Sequence, residues 1–249
     1  MIRLHAVSVV FNKGIATELT ALKEVSLRIG PGEYAVVIGS NGSGKSTLLN
    51  CIAGNQLTAK GSVYIADQDV SRLMDFERSR YISRIFQNPL HGTAPDLTVI
   101  ENFRIAALRS KPKLMKVGID KSFTDVVKER VAVLKMGLED KLSRSMGSFS
   151  GGQRQALTLA MAVMDETSVL LLDEPTAALD PKSSVILMES ADRIIRTFNL
   201  TAILVTHHLK DACRYGNRLI QLQEGAVIRD YTAEQKNKVA LQEMHSWFD

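Results

Sequence analysis

Nine residues, Gly39-Ser-Asn-Gly-Ser-Gly44-Lys45-Ser46-Thr47, have types and spacing suited to holding phosphate. They follow the apolar run "YAVVIG" and open the run "STLLNCIAG", the strand, loop and helix context that a P-loop requires. Glycines let consecutive backbone N–H groups converge on phosphate oxygens, and a helix N-terminus adds roughly +0.5 of an elementary charge. In such a loop Gly39, Ser40, Asn41, Gly42, Ser43, Gly44 and Thr47 wrap the phosphates. Lys45 reaches the β- and γ-phosphates, and Ser46 ligates Mg²⁺.

A second group with chemical potential ends "SVLLLDEP", Ser168 to Pro175, an apolar strand run finishing in adjacent carboxylates. Asp173 at the tip of a buried strand can hold Mg²⁺ through water. Glu174 can take a proton from water attacking a γ-phosphate. Acidic turn residues also cap strands with no catalytic role, so the pair gains its meaning from the P-loop upstream.

The third group is "SFSGGQRQALTLAMAVM", Ser148 to Met164, which has helical apolar spacing yet opens on Gly151 and Gly152. A glycine inside a helix costs roughly 1 kcal/mol relative to alanine. The pair therefore predicts a backbone that something approaches closely, either a ligand or a packed neighbour.

These groups need a scaffold, and the rest of the chain supplies one. Short β-branched runs alternate with helical patterns: "AVVIGS" before the P-loop helix, "SVLLLDEP" before "PKSSVILMESADRIIRTFN", "TAILVTHH" before "LKDACRYG". Such alternation predicts a parallel sheet with helices on both faces. Residues 2–10 and 23–29 read as antiparallel strands, as does "RLIQLQEGAVIRDY", joined through Glu224 and Gly225. From Val99 to about Lys141 helical patterns take over, starting at a Thr98 to Glu101 capping box and broken at Pro112 and Gly118. "TAEQKNKVALQEMHSWF" reads as one last amphipathic helix.

Composition narrows the class. The 249 residues are 45% hydrophobic and 23% charged, an ordinary globular balance, with a net charge of +4. Residues 104–144 hold 11 Lys or Arg against 5 Asp or Glu, read as a solvated helical face rather than a nucleic-acid or lipid surface. Cys51 and Cys213 lie far apart without metal-ligand spacing, which fits a reducing compartment. The start, "MIRLHAVSVVF", lacks the order of a signal peptide, and no run approaches the roughly 18 apolar residues of a spanning helix. Any membrane role is expected to come through a partner.

"FSGGQ" at Phe149 to Gln153, together with the P-loop and "LLLDEP", strongly resembles the ATP-binding cassette family, over roughly Ile2 to Tyr231. The resemblance implies an α/β fold: a P-loop NTPase cassette with a mixed, largely parallel core sheet, an antiparallel β subdomain and an α-helical subdomain. It implies one ATPase domain, with core 1–87 and 165–231, helical subdomain about 88–164 and C-terminal helix 232–248. ATP and Mg²⁺ are the implied substrate and metal. Ser150, Gly151, Gly152 and Gln153 would bind the γ-phosphate of ATP held by a second copy. Gln87 in "IFQNP" matches the loop glutamine that touches Mg²⁺ and senses the membrane partner. Asp180 in "AALDP" matches the loop linking the two sites, although it reads equally as a helix N-cap before Pro181. His207 in "VTHH" matches the histidine that contacts the γ-phosphate and positions the catalytic carboxylate, with His208 as its rival. Phe11 falls where an aromatic stacks on adenine, and could equally be core. Phe149 replaces the usual Leu and is expected to pack on the helical subdomain.

The family resemblance implies a transporter ATPase subunit at the cytoplasmic face of the membrane, partnered by permease subunits, a second cassette and, in importers, a solute-binding protein. A bacterial importer of a small solute such as an amino acid is the expected case. "NPLHGTAPDLTVIENF" with "FSGGQRQALTLAMAVM" looks most similar to a bacterial group whose neighbours bind small amphiphilic solutes such as aromatic amino acids. The alternative is a soluble cassette of an assembly machine, such as iron–sulfur biogenesis, or of DNA repair. Repair cassettes insert a long coiled coil, and residues 48–148 show no sustained heptads. Iron–sulfur cassettes typically carry Glu where Gln153 stands. A kinase or GTPase would need an NKxD element or a lid, and has no use for the motif at Ser150.

Overall fold

The computed structural model describes residues 1–88, 91–109, 118–165 and 167–248. In chain order, β1 (Ile2–Phe11) and β2 (Leu19–Ile29) lead to β3 (Tyr34–Ile38), α1 (Lys45–Ala53), β4 (Lys60–Ile65) and β5 (Gln68–Asp69). There follow α2 (Asp75–Arg78), β6 (Ile82–Ile85), α3 (Val99–Ala107), α4 (Lys121–Ala132) and α5 (Gly151–Ala162). The last part holds β7 (Val169–Asp173), α6 (Pro181–Thr197), β8 (Thr201–Val205) and α7 (Leu209–Arg214). It closes with β9 (Arg218–Gln223), β10 (Ala226–Tyr231), α8 (Ala233–Lys236) and α9 (Leu241–His245).

The apolar runs that read as strands buried on both sides form the central sheet, in the order β10-β9-β3-β8-β7-β6. All neighbours are parallel except β10, which returns antiparallel to β9. Its hairpin turns through Glu224 and Gly225, with φ of +47° and +80°. Positive φ at both loop residues is what a two-residue turn matched to strand twist needs.

Alternation along the strands divides two cores. Val36 and Ile38, Leu170 and Leu172, Ala202 and Leu204 pack with α5 and α6. Ala35 and Val37, Val169 and Leu171, Ile203 and Val205 pack with α1 and the antiparallel sheet β2-β1-β4-β5. The expectation of helices on both faces is thus met by a helical layer on one side, and by α1 with a second sheet on the other. That second sheet covers the face that α1 alone cannot.

Local signals explain most boundaries. Thr98 and Glu101 form the expected capping box, the Glu101 carboxylate accepting from Thr98 N–H at 2.7 Å. Asp180 caps α6, accepting from Ser183 N–H at 3.0 Å, with Pro181 at the first helical position. Arg78 is fully buried and donates to the carbonyls of Cys51 and Ile52 at 2.7 and 2.9 Å, so a cation closes the C-terminal end of α1. Pro112 lies outside the described residues, and Gly118 precedes α4.

Two expectations are revised. The tail forms two short helices, not one over 232–248. The break at residues 237–240 lets Lys236 donate to the carbonyls of Tyr215 and Gly216 while Met244, fully buried, packs by α7. The basic stretch is not simply a solvated face either. The Arg104, Arg130 and Arg144 guanidinium groups lie over the rings of Phe123, Phe198 and Phe149. Phe149 itself is buried in the helical core, in line with the packing expected of it.

Candidate active site

β3, an interior strand, ends at Ile38, the loop 39–44 leaves its C-terminal end, and α1 begins at Lys45. Two of its glycines are there for different reasons. Gly42 has φ +80° with open space around it, so the backbone conformation alone requires glycine. Gly44 has φ +102°, and a Cβ there would sit 2.6 Å from the Ala21 carbonyl, so both conformation and space exclude a side chain. Lys45 folds back over the loop and donates to the carbonyls of Gly39 and Ser40 at 2.8 and 2.9 Å. Burial holds its ammonium below the ordinary lysine value, while Glu174 and Asp173 pull the other way. The lysine is therefore held in place by carbonyls that a phosphate can replace. Ser40, Asn41 and Ser46 are exposed, Thr47 half-buried and Ser43 buried.

β7 delivers two carboxylates to the same end of the sheet. Asp173 Oδ1 accepts from the Ser46 hydroxyl at 3.4 Å, and its Oδ2 pairs with Arg84 at 2.5 Å. Gln87, exposed just beyond β6, lines with Asp173, Phe86, Asn88 and His91 a cleft of about 560 Å³. Ser46, Asp173 and Gln87 thus offer the few hard oxygen donors expected for Mg²⁺, which is commonly held by one or two carboxylates plus substrate phosphates. Among the described residues no cluster of three or more His, Cys, Asp or Glu makes a self-contained metal cage.

Glu174 stands in the left-handed region at φ +44°, costly for a non-glycine residue, with its N–H donated to Val205 O at 3.0 Å. Parallel pairing of Asp173 with Val205 brings the segment after β8 alongside. There His207 Nδ1 approaches Glu174 Oε2 at 3.1 Å. The neighbouring His208 instead lies tilted against the His207 ring, with centroids 4.1 Å apart, and stands at the N-cap of α7. Of the two histidines, His207 is the one at the carboxylate.

The remaining sequence-predicted residues lie apart from this cluster. Ser150 caps α5 and makes a reciprocal pair with Gln153: Gln153 N–H to Ser150 Oγ at 3.3 Å, Ser150 N–H to Gln153 Oε1 at 3.1 Å. Gly152 is spaceless for another reason, since a Cβ would lie 2.9 Å from Ser183 Cβ on α6. The packed-neighbour reading therefore accounts for Gly152, while Gly151 is half-buried and Ser150 exposed. The cavity of about 640 Å³ lined by Gly39, Ser40, Asn41, His207, His245 and Phe248 contains none of residues 150–153. Asp180 is exposed and occupied as a helix cap, which holds its carboxyl below the usual range. Phe11, half-buried at the end of β1, packs on the margin of the second core.

Two features escaped the sequence reading. The Ser150–Gln153 capping box had a visible signal, Ser followed three residues later by Gln. Arg84 had none beyond being a charge in an apolar strand, because its partners Asp173 and Asn50 are 89 and 34 residues away.

A glycine-lined phosphate loop, an oxygen-donor pair and a carboxylate–histidine pair at one end of a parallel sheet define a nucleotide-hydrolysing P-loop protein. Residues 22–177 match the family described as ABC transporter. The chain is 36% identical over its full length, and 99% of the relative's, to a tyrosine transport ATP-binding protein of Clostridioides difficile (strain R20291). It is 32% identical, over 98% of each chain, to a phosphonates import ATP-binding protein of Lactococcus lactis subsp. lactis (strain IL1403). A solved ATP-binding cassette, described as a dimer in a post-hydrolysis state with ADP and Pi, superimposes with a TM-score of 0.77 at 28% identity, covering 94% of this chain and 99% of that one. The chain belongs to the ABC transporter family, as an ATP-binding subunit and ATPase. Among the described residues no helix is long and apolar enough to cross a membrane.

Proposed function

We propose that this chain powers a bacterial importer, binding ATP between two copies of itself and using closure and reopening of that pair to drive a membrane permease. The observation that carries the reading is the separation of the site. Lys45, Ser46, Asp173, Glu174 and His207 converge, while exposed Ser150 opens α5 apart from them, outside the cavity that Gly39, Ser40 and Asn41 line. A second copy supplies the missing half.

In this reading residues 39–47 and Lys45 grip the phosphates, Phe11 lies under the adenine, and Ser46, Asp173 and Gln87 hold Mg²⁺. Bound there, the ion neutralises charge building on the phosphates. Glu174 accepts the proton of the attacking water, and His207 keeps that carboxylate aimed. Ser150, Gly151, Gly152 and Gln153 close on the γ-phosphate of the partner copy, with Asp180 at the seam between sites. A cleft of about 350 Å³ between the core and the helical region 88–164, lined by Phe76, Arg84, Phe86, Arg109 and Thr158, receives a short permease helix. The chain then works at the cytoplasmic face of the membrane without entering it. Support for import comes from relatives named for uptake of phosphonates and methionine, and support for an aromatic amino acid as cargo from the tyrosine transport relative.

Tagging the chain in its own cell and solubilising membranes gently tests the proposal. A polytopic membrane protein in stoichiometric amount is the expected companion, with a solute-binding protein identifying an importer. Recovery only with soluble assembly proteins overturns it.

A further inference from the structure

Arg84 is a cation inside a strand whose neighbours Ile82 and Ile85 are buried, and its side chain is 13% exposed. Its guanidinium is committed in three directions. One nitrogen pairs with Asp173 Oδ2 at 2.5 Å, another donates to Asn50 Oδ1 at 2.7 Å and Asn55 Oδ1 at 3.1 Å, and the group lies 5.1 Å from the centre of the Phe86 ring. Asn50 belongs to α1, the helix that the phosphate loop opens, and Phe86 precedes Gln87. Arg84 therefore ties two site-bearing segments, α1 and the end of β6, to one carboxylate. That carboxylate is divided: Oδ2 faces Arg84, and Oδ1 faces Ser46.

We propose that Arg84 is a positioning residue for Asp173, fixing the carboxylate so that Oδ1 faces Ser46 and shielding its charge so that a divalent cation binds well only together with nucleotide. The proposal rests on the reading of Ser46 and Asp173 as metal-holding residues. Its physical basis is charge. A guanidinium in contact with one oxygen of a poorly solvated carboxylate offsets much of the attraction that carboxylate exerts on a free dication, because little water screens the pair. ATP brings its own phosphate oxygens, so the shielded carboxylate need only complete a coordination sphere. The planar fork also holds Asp173 and Asn50 at once, which a lysine ammonium does with less directional control.

The test uses Mn²⁺ as probe, counting free ion by electron paramagnetic resonance with the full-length chain. Without nucleotide, Arg84→Met should bind Mn²⁺ about tenfold more tightly than wild type, the scale expected for removing one neighbouring charge. Arg84→Lys, which keeps the charge, should stay within about twofold of wild type. With ATP present, turnover of Arg84→Met should fall with little change in KM, since the carboxylate is misaimed while the phosphate loop is intact. Unchanged or weaker nucleotide-free Mn²⁺ binding by folded Arg84→Met overturns the proposal. So does a tightening in Arg84→Lys equal to that in Arg84→Met, and if the Met variant does not fold, Arg84→Gln takes its place under the same criteria. Asp173→Asn separates the underlying reading: undiminished Mn²⁺ binding in the presence of ATP by that variant removes Asp173 as a metal ligand, whatever Arg84 does.

Discussion

The phosphate-loop end of the sheet and the N-terminus of α5 are both built around glycine and hydroxyl residues, but they are held very differently. In the first, Asp173 and Glu174 are bound by groups from other parts of the chain, Arg84, Val205 and His207, and Lys45 by the carbonyls of its own loop. In the second, Ser150 and Gln153 bond to each other, and the tertiary contact falls to Gly152 against Ser183. One region is a set of side chains aimed by contacts with one another. The other is a helix end whose side-chain capping is closed between Ser150 and Gln153, residues three apart in the chain. The contrast teaches that glycine in the two places answers different demands: conformation at Gly42, closeness of a neighbouring helix at Gly152.

The contrast can be broken first at Glu174. Glu174→Gln should cut phosphate release by about 100-fold or more, the usual weight of a general base, while ATP binding stays within a few-fold. Trapped ATP-bound pairs should then appear on size exclusion; retention of most of the turnover removes Glu174 from the chemistry. Next in size is Gly152→Ala, whose Cβ would press on Ser183 and should lower unfolding free energy by about 1–3 kcal/mol. Chemical denaturation giving no loss would show that α5 and α6 have room to spare.

Mixing Lys45→Ala with Ser150→Arg subunits sharpens the comparison further, because a heterodimer has at most one competent site if the α5 end acts on the partner's nucleotide. Activity of the mixture equal to wild type excludes that sharing. The smallest effect lies outside both regions. Burial lowers Lys236 from 10.5 to about 8, so between those values the unfolded chain binds more protons than the folded one. The stability of wild type relative to Lys236→Met should therefore rise as pH goes from about 8 towards 10 and fall back as pH drops through 8, read as a difference in Tm. A flat difference would place the ammonium in water.

The site was legible in the sequence where function depends on a contiguous run. The phosphate loop, the "LLLDEP" pair and the Asp180–Pro181 helix start each carry their own backbone logic, and all stand where that logic places them. His207 is favoured over His208 by strand alternation and by the family resemblance, and the pairing of β7 with β8 sets its imidazole against Glu174. The tail was misread because "TAEQKNKVALQEMHSWF" has continuous helical character, and what interrupts it is a set of distant carbonyls that draw Lys236 inward. Cations of the basic stretch also meet rings outside α4: half-buried Arg130 lies over Phe198, and Arg144, itself exposed, over Phe149.

By itself the sequence determined the local conformations: strands buried on both sides, a glycine loop opening a helix, capped helix starts and the chemical types available to hold phosphate and metal. Those follow from steric limits on the backbone and from hydrogen bonds spanning a few residues. Only the tertiary structure decided which of these came together. It joined Ser46, Arg84 and Asp173, set His207 on Glu174, and left Ser150 facing solvent, because these relations depend on strand order and register, which bring residues distant in the chain within reach of one another.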